Sequence, residues 1–416
     1  MSRIRDLIGS CTLRCHQISG LGDNVAMMSP QQEPAKWIWQ QADWPNMHWD
    51  NGVLAPLLRE VTQLQGRLLG QAGAINEVHS AKASIDALLQ NIVQSSAIEG
   101  EVLNVESVRS SLAKRLGVEE AGLTAETAKT AGLAELLLDA TQNYAEPLTL
   151  ARLFRWHAYL FAENSDHVFQ LISIKVGQLR GAEPMQVVSG PVNKRTVHFE
   201  APPRQGLDEQ LTIFLTWMAD SATDLSIDPI LRAAKAHFWF VTLHPFDDGN
   251  GRLARAISDY ALAQAEHQSI RFYAMAASIM EKRSGYYDVL EASQKGDLDI
   301  TAWMLWFLET LKHSLVSAQA RIDVVLQKTR FWQAHALDGL NENQIKVLNR
   351  LLDAGADGFE GKLNARKYIS IASVSKATAT RHLQELLDKH CISKCEGGGR
   401  STHYDIQWPE KRGKVG

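Results

Sequence analysis

The sequence predicts a mainly α-helical chain with one β-hairpin inside a helical core and a small helix-and-hairpin module near the C-terminal end. Apolar residues recur at helical spacings of three, four and seven through most of the 416 residues. Strand-forming runs bounded by Gly, Pro or Asn occur near residues 187–203 and 392–406. Residues 362–416 hold 11 Lys and Arg against 5 Asp and Glu, although the formal net charge of the whole chain is −4. The C-terminal stretch therefore differs in charge as well as in pattern.

Length and composition indicate several domains. A chain of 416 residues with 45% apolar residues can fill two or three cores. We expect, in order, a flexible extension at 1–28, an N-terminal helical domain at 29–140, a helical core at 141–315, a helical linker at 316–340, a helix-and-hairpin module at 341–408 and a basic tail at 409–416.

Four tryptophans cluster near the start of the N-terminal domain. Trp37, Trp39, Trp44 and Trp49 lie within thirteen residues of a chain that has 11 tryptophans in all. Aromatic side chains at this density are typical of a compact core, and a dimer contact is the alternative.

The next helix is predicted over Ala81–Gln94, where Ile85, Leu88 and Ile92 share one face. Ser95 and Glu99 follow at a spacing of four, which places both on one side of the continuing helix. By themselves they are consistent with a solvated face.

A β-hairpin is predicted in the core. Gly177–Arg180 leads to Val187–Gly190, then to a polar turn, then to Val197–Pro203. Short strand formers on both sides of a Pro/Asn/Lys loop are typical of a hairpin, and an ordinary surface hairpin is the alternative to a functional one.

Helices are predicted on both sides of one loop, because Ile230–Leu243 and Arg252–Ala265 have continuous helical patterns. Residues 207–222 and 300–326 have the same spacing of apolar residues. Pro245 cannot continue a helix, so His244 is expected at a helix end, on the rim of the loop.

The loop itself, residues 244–255, reads His-Pro-Phe-Asp-Asp-Gly-Asn-Gly-Arg-Leu-Ala-Arg. Glycines at the start of a helix let backbone N–H groups converge on an anion, and the helix dipole favours negative charge there. Arg252 and Arg255 are three residues apart and lean back toward the same anion, which fits a polyphosphate. Asp247 and Asp248 fit beside phosphates if Mg²⁺ lies between them. An imidazole there can accept the proton of an attacking hydroxyl.

The C-terminal module is predicted from two helices and two strands. Asn343–Leu352 and Val374–Leu387 have helical patterns, and 392–396 and 401–406 are strand-like pieces joined by Gly397–Arg400. This order is typical of a winged helix-turn-helix. Candidate DNA contacts are Lys376, Thr378, Thr380, Arg381 and Arg400. A protein-interaction module or a solvated basic surface are the alternatives.

Cysteine usage and hydropathy indicate a cytoplasmic protein. The chain has four cysteines, in two pairs spaced by four, which is not the usual zinc spacing. The N-terminus lacks a signal-peptide core, and no run of about 18 apolar residues occurs. We therefore expect no membrane partner.

The loop at 244–255 resembles the signature of Fic-domain proteins, His-Pro-Phe-x-(Asp/Glu)-Gly-Asn-Gly-Arg-x-x-Arg, at every fixed position. The resemblance implies a Fic-type helical core and a protein adenylyltransferase that uses ATP and Mg²⁺ to move AMP to a Ser, Thr or Tyr hydroxyl of a target protein or of itself. It implies His244 as general base, Asp248 as Mg²⁺ ligand and Phe246 as structural anchor. The implied phosphate cradle is Gly249, Asn250 and Gly251, with Arg252 and Arg255 on the β- and γ-phosphates.

Other segments fit the same resemblance. The predicted hairpin is similar to the Fic flap, on which Val187, Val188, Val197 and His198 would align a target segment by strand addition. Residues 284–294 resemble the nucleoside pocket, with Tyr286 and Tyr287 near the base and Gln294 where several relatives have Asn. Core packing is the alternative for the two tyrosines.

Ser95, Glu99 and Gly100 resemble the inhibitory motif that some Fic proteins carry on a helix, here about 81–100, before the core. The resemblance implies that Glu99 pairs with Arg255 and blocks the γ-phosphate site until the helix moves.

Two other functions stay open. The Doc branch of the family phosphorylates by binding the nucleotide in reverse and has a lysine where this chain has Gly251, which favours AMP transfer. Transfer of another nucleotide belongs with this alternative. The second alternative function is that of a DNA-binding regulator whose Fic core senses nucleotide. Removal of AMP with the help of Glu99 and formation of a homodimer are further alternatives.

Overall fold

The computed structural model of the chain describes residues 35–73, 77–118, 124–162, 174–191, 194–268, 272–354, 359–395 and 402–408. The expected extension at 1–28 and the basic tail at 409–416 lie outside these ranges. The described chain divides into two compact units, Met1–Leu69 with Ser80–Val316, and Gly70–His79 with Ser317–Gly416.

The predicted fold class is confirmed: the described chain is mainly helical, with a hairpin in the first unit and a small hairpin in the second. The helices of the first unit are α1 (Asn51–Ala72), α2 (Glu77–Ile98), α3 (Val105–Leu116), α4 (Ala128–Gln142), α5 (Leu150–Leu160), α6 (Leu207–Asp220), α7 (Pro229–Leu243), α8 (Asn250–Glu266), α9 (Met275–Glu281), α10 (Arg283–Gln294) and the first half of α11 (Thr301–Ala334).

The core of the first unit is built around α7 and α8, which pack against each other. Asp228 caps α7 by accepting hydrogen bonds from the first free N–H groups, and Pro229 follows at a position where no N–H is needed. The helix ends at His244, whose backbone is left-handed (φ 48°). Gly249 (φ 81°) then starts α8 at Asn250, two residues before the predicted start. The two ends of the loop are thus both fixed by local backbone geometry.

The predicted hairpin is present as β1 (Gln186–Ser189) and β2 (Thr196–Glu200), which pair antiparallel with a register shift after Val187. The first two tryptophans of the cluster belong to a small apolar core that they share with the hairpin. Trp37 packs edge-on against Phe199 of β2, and Trp39 donates a hydrogen bond from Nε1 to the Glu200 carbonyl at 2.7 Å. The first tryptophans therefore support the hairpin.

The second unit holds the end of α11, then α12 (Glu342–Leu352), α13 (Ala365–Ala372), α14 (Lys376–Asp388), β3 (Ile392–Lys394) and β4 (Tyr404–Ile406). Its core includes Phe331, Leu348, Tyr368, Leu383 and Ile392. The helix α13 was not predicted from the sequence, because its eight residues are shorter than the window over which helical periodicity is recognisable. Within the described chain, no helix is long and apolar enough to cross a bilayer.

Candidate active site

The hydrogen bonding of His244 leaves one ring nitrogen free to accept a proton. Its Nδ1 lies 3.0 Å from the Val241 carbonyl, which can only accept, so Nδ1 carries the proton and Nε2 keeps its lone pair. Desolvation lowers the pKa of His244 below its usual 6.5, and the nearby Arg180 guanidinium lowers it further. The imidazole is therefore neutral at physiological pH and can accept a proton.

The loop after His244 is held by its own side chains. Phe246 is fully buried, and the Asn250 amide bonds its backbone twice: Oδ1 accepts from the Phe246 N–H at 3.0 Å, and Nδ2 donates to the Phe246 carbonyl at 2.9 Å. The Asn250 side chain is thus used inside the loop. The first N–H groups of α8 have no partner within the helix, so they are available to bind an anion.

Two residues that sequence reasoning did not assign hold the same loop. His157 stacks on Phe246 at 4.2 Å, accepts from the Gly177 N–H at Nδ1 and donates from Nε2 to the Asp248 carbonyl. Burial lowers the pKa of His157 to about 4, so it stays neutral. Arg180 donates from Nε to the His244 carbonyl at 2.8 Å and also bonds the Pro202 carbonyl, which joins the loop to the hairpin.

The two aspartates of the loop differ in availability. Asp247 accepts a hydrogen bond from the Lys175 N–H at 3.1 Å. The Asp248 side chain is 56% exposed; its Oδ1 accepts from the Gly249 N–H, and its Oδ2 lies 3.5 Å from Arg252 Nη2. Asp248 therefore has oxygen lone pairs available to a divalent cation.

Arg255 is occupied by the end of α2. Its Nη2 donates to Glu99 Oε1 at 2.8 Å and to the Ser95 carbonyl at 3.0 Å, while its Nε donates to Ser95 Oγ at 2.9 Å. Burial opposes ionisation of Glu99, but the guanidiniums of Arg255, Arg252 and Arg283 outweigh it and lower the pKa of Glu99 below its usual 4.5. The predicted pair of Glu99 and Arg255 is present.

Arg252 is occupied in the same way by Glu101, a residue that the sequence did not single out. Arg252 Nη1 donates to Glu101 Oε1 at 3.0 Å, and Lys129 lies 3.4 Å from the other Glu101 oxygen. Both candidate phosphate-binding arginines, each with a side chain only 4% exposed, therefore pair with carboxylates from one short segment.

Gly100 explains how one segment presents two carboxylates. It has φ 83°, a conformation that favours glycine, and the Glu101 N–H turns back to donate to the Ser96 carbonyl at 3.0 Å. The turn places Glu99 and Glu101 on either side of the glycine.

The arginines still have unused donors. Among the described residues, Arg255 Nη1 and Arg252 Nε are buried and have no hydrogen-bond partner. Gly251 keeps the space beside them open, since a Cβ there would lie 2.5 Å from Glu99 Oε1 and 3.4 Å from Arg255 Nη1. Unsatisfied buried donors of this kind fit an additional anionic ligand.

The three candidate nucleoside-pocket residues lie in different surroundings. Tyr286 is buried and its hydroxyl lies 2.9 Å from His237 Nε2, within a cluster that includes Trp303 and Trp306. Tyr287 is half-buried, with its hydroxyl 3.5 Å from Glu99 Oε2. Gln294 is buried and donates to Thr242 Oγ1.

The hairpin residues predicted to dock a target lie at an accessible position. Val187 is exposed, and Val188, Val197 and His198 are half-buried. His198 bonds Ser189 Oγ at 2.5 Å and Glu291 Oε2 at 2.6 Å, which fastens the hairpin to α10.

The candidate DNA contacts in the second unit lie at the start of α14. Lys376, Thr380 and Arg381 are exposed and Thr378 is half-buried. Arg400 lies outside the described residues.

Comparison with known proteins gives two domain matches. Residues 147–262 match the model of the Fic/DOC family, and residues 37–118 match a domain of unknown function, DUF4172. The first match contains the whole loop 244–255, and the second contains Ser95, Glu99 and Glu101.

Curated relatives carry the same family name. Protein adenylyltransferase Fic of Aedes aegypti is 27% identical over 223 residues, which are 52% of this chain and 39% of that protein. Protein adenylyltransferase fic-1 of Caenorhabditis elegans is 39% identical over 90 residues, 22% of this chain and 16% of that protein. The chain thus spans less than half the length of these relatives. A Fic family protein from Desulfovibrio desulfuricans G20 has a similar fold, with a TM-score of 0.50 at 16% identity over 88% of this chain and 99% of that one.

Proposed function

Since this chain belongs to the Fic/DOC family, we propose that it is a protein adenylyltransferase that moves AMP from Mg-ATP to a Ser, Thr or Tyr hydroxyl of a target protein or of itself. One observation carries the proposal. A neutral imidazole at 244 precedes, by one short loop, two buried arginines in the first turns of α8 that still have unpartnered donors. A base beside a polyphosphate site is what transfer to a hydroxyl requires.

In the proposed reaction the target hydroxyl oxygen forms a bond to the α-phosphorus, and the bond from that phosphorus to the pyrophosphate oxygen breaks. His244 Nε2 takes the hydroxyl proton. Arg252, Arg255 and the N–H groups at the start of α8 stabilise the charge of the phosphates. Asp248 would hold Mg²⁺, which adds positive charge beside the phosphates when bound.

We propose further that the end of α2 inhibits this reaction. Glu99 on Arg255 and Glu101 on Arg252 occupy the donors that would otherwise bind the β- and γ-phosphates. Charge-assisted hydrogen bonds contribute about 1.5–3 kcal/mol each, so removing Glu99 should strengthen productive ATP binding about tenfold or more. Activation then requires movement of this segment.

The test is the intact mass of the full chain carrying Glu99→Gly after incubation with Mg-ATP. We expect the mass of one or more AMP groups to be added, about tenfold faster than in the unchanged chain. Transfer from ATP labelled at the α-phosphate but not at the γ-phosphate separates AMP transfer from Doc-type phosphotransfer. Absence of label from either position, with the Glu99→Gly chain folded, would refute transfer of either kind to the chain itself.

The second unit supports one additional proposal, a winged helix-turn-helix that binds DNA, because α14 exposes Lys376 and Arg381 at its first turns. Replacing both by Ala should weaken binding of the full chain to duplex DNA about tenfold and reduce its dependence on salt. Equal binding of duplex DNA by the original and the doubly substituted chain at 50 mM salt would count against DNA binding through α14. The AMP-transfer assay serves as the control for folding of the rest of the chain.

A further inference from the structure

Three potential metal ligands meet in the second unit, outside the site described above. His335 and Asp338 follow the end of α11, and Cys391 immediately precedes β3. His335 Nδ1 lies 2.7 Å from Asp338 Oδ2, and Cys391 Sγ lies 3.5 Å from the same nitrogen and 4.0 Å from the same oxygen. One potential ligand atom from each of the three residues therefore lies close to the other two, and the three atoms form a small triangle.

The size of this triangle suits a transition-metal ion. The circle through the three atoms has a radius of about 2 Å, which follows from the three separations. Bonds from Zn²⁺ to nitrogen and oxygen are about 2.0–2.2 Å and those to sulfur about 2.3 Å. An ion near the centre of the triangle would thus reach all three atoms with only small side-chain adjustments.

The surroundings also differ from those of an ordinary buried cysteine, which packs as a small apolar residue. Cys391 is fully buried, yet its sulfur faces an imidazole and a carboxylate. The His335 and Asp338 side chains are 10% and 29% exposed, which leaves a route for a water as fourth ligand. The nearby Lys389 ammonium donates to the backbone carbonyls of Asp338 and Gly339.

We infer that His335, Asp338 and Cys391 form a zinc site that ties the segment after α11 to the C-terminal hairpin. A thiolate and an imidazole favour Zn²⁺ over Mg²⁺ or Ca²⁺, which prefer oxygen ligands. Three protein ligands plus water make a tetrahedral set. The ion joins residues more than fifty positions apart in sequence and thereby stabilises this unit.

The test uses the full chain, stripped with a chelator and then titrated with Zn²⁺ or with Co²⁺ as a coloured substitute. We expect about one ion per chain, a sulfur-to-cobalt charge-transfer band, and an increase in the Tm of the second unit on adding Zn²⁺. Cys391→Ser should remove the band. Cys395→Ser, a matched change four residues away in the same segment, should keep it.

Asp338→Asn provides a variant of nearly unchanged shape in case Cys391→Ser fails to fold. It should weaken Zn²⁺ binding at least about tenfold, because an amide is a poorer ligand than a carboxylate. A chain that binds no Zn²⁺ after stripping, or a cobalt band that persists in Cys391→Ser and disappears in Cys395→Ser, would overturn the assignment. Neither result depends on AMP transfer.

Discussion

The loop at 244–255 and the segment Ser95–Glu101 each contain a left-handed residue just after a helix, His244 and Gly100, but they are held differently. The loop is fixed by hydrogen bonds to backbone groups from Asn250, His157 and Arg180. The segment is held by Ser95, by the Ile98 carbonyl and by two carboxylates, about 30% exposed, that pair with the arginines proposed to bind phosphates. In the proposed function the loop stays in place, whereas the segment competes with ATP for the two arginines.

The largest effect should come from breaking the chemistry of the fixed region. His244→Ala, placed in the Glu99→Gly chain, removes the base and should reduce AMP transfer at least about 100-fold. Binding of a non-hydrolysable ATP analogue should change little, because the arginines remain. Parallel measurement of transfer and binding tests this. Retention of the transfer rate would mean that another group accepts the proton.

A smaller effect should come from the competing region. Glu101→Gln in the Glu99→Gly chain removes the carboxylate charge that pairs with Arg252. It should tighten binding of the ATP analogue about two- to fivefold, the range for a partly exposed ion pair. Glu106→Gln makes the same change at an exposed position five residues further along and should have no effect. Weaker binding in Glu101→Gln would instead make Glu101 a residue that positions Arg252 for the phosphates.

The smallest change should be the response to pH. The pKa of His244 is lowered below its usual 6.5, so the imidazole stays mainly unprotonated as the pH falls from 8 to 7, and transfer by the Glu99→Gly chain should change little over this range. The pKa of Glu99 is also lowered, so its contact with Arg255 is present above 4.5 and is lost only as the pH falls further, through the folded-state value. The unchanged chain should therefore stay inactive from pH 8 to 5. Activation near pH 6 would contradict this.

In these two regions some contacts could be predicted from the sequence and others could not. The ends of α7 and α8 and the pair of Glu99 and Arg255 could be predicted, because proline, glycine and helical spacing act locally and the loop resembles a specific signature. Glu101 could not, since neither it nor Arg252 has a pattern that points to the other, whereas Glu99 lies in a segment that resembles a known motif. The side chain of Asn250 likewise turned out to bond Phe246, because the loop must satisfy its own buried backbone groups.

Gly251 links two properties that are otherwise separate. Any side chain at this position would meet the Glu99 carboxylate, since even a Cβ lies 2.5 Å from Oε1. A lysine at this position, which the resemblance associates with the phosphate-transferring branch, would therefore require the Glu99 carboxylate to move from the place that it occupies here. Under the proposed inhibition by Glu99, a single change at residue 251 would thus alter the phosphate-binding loop and the inhibitory contact together.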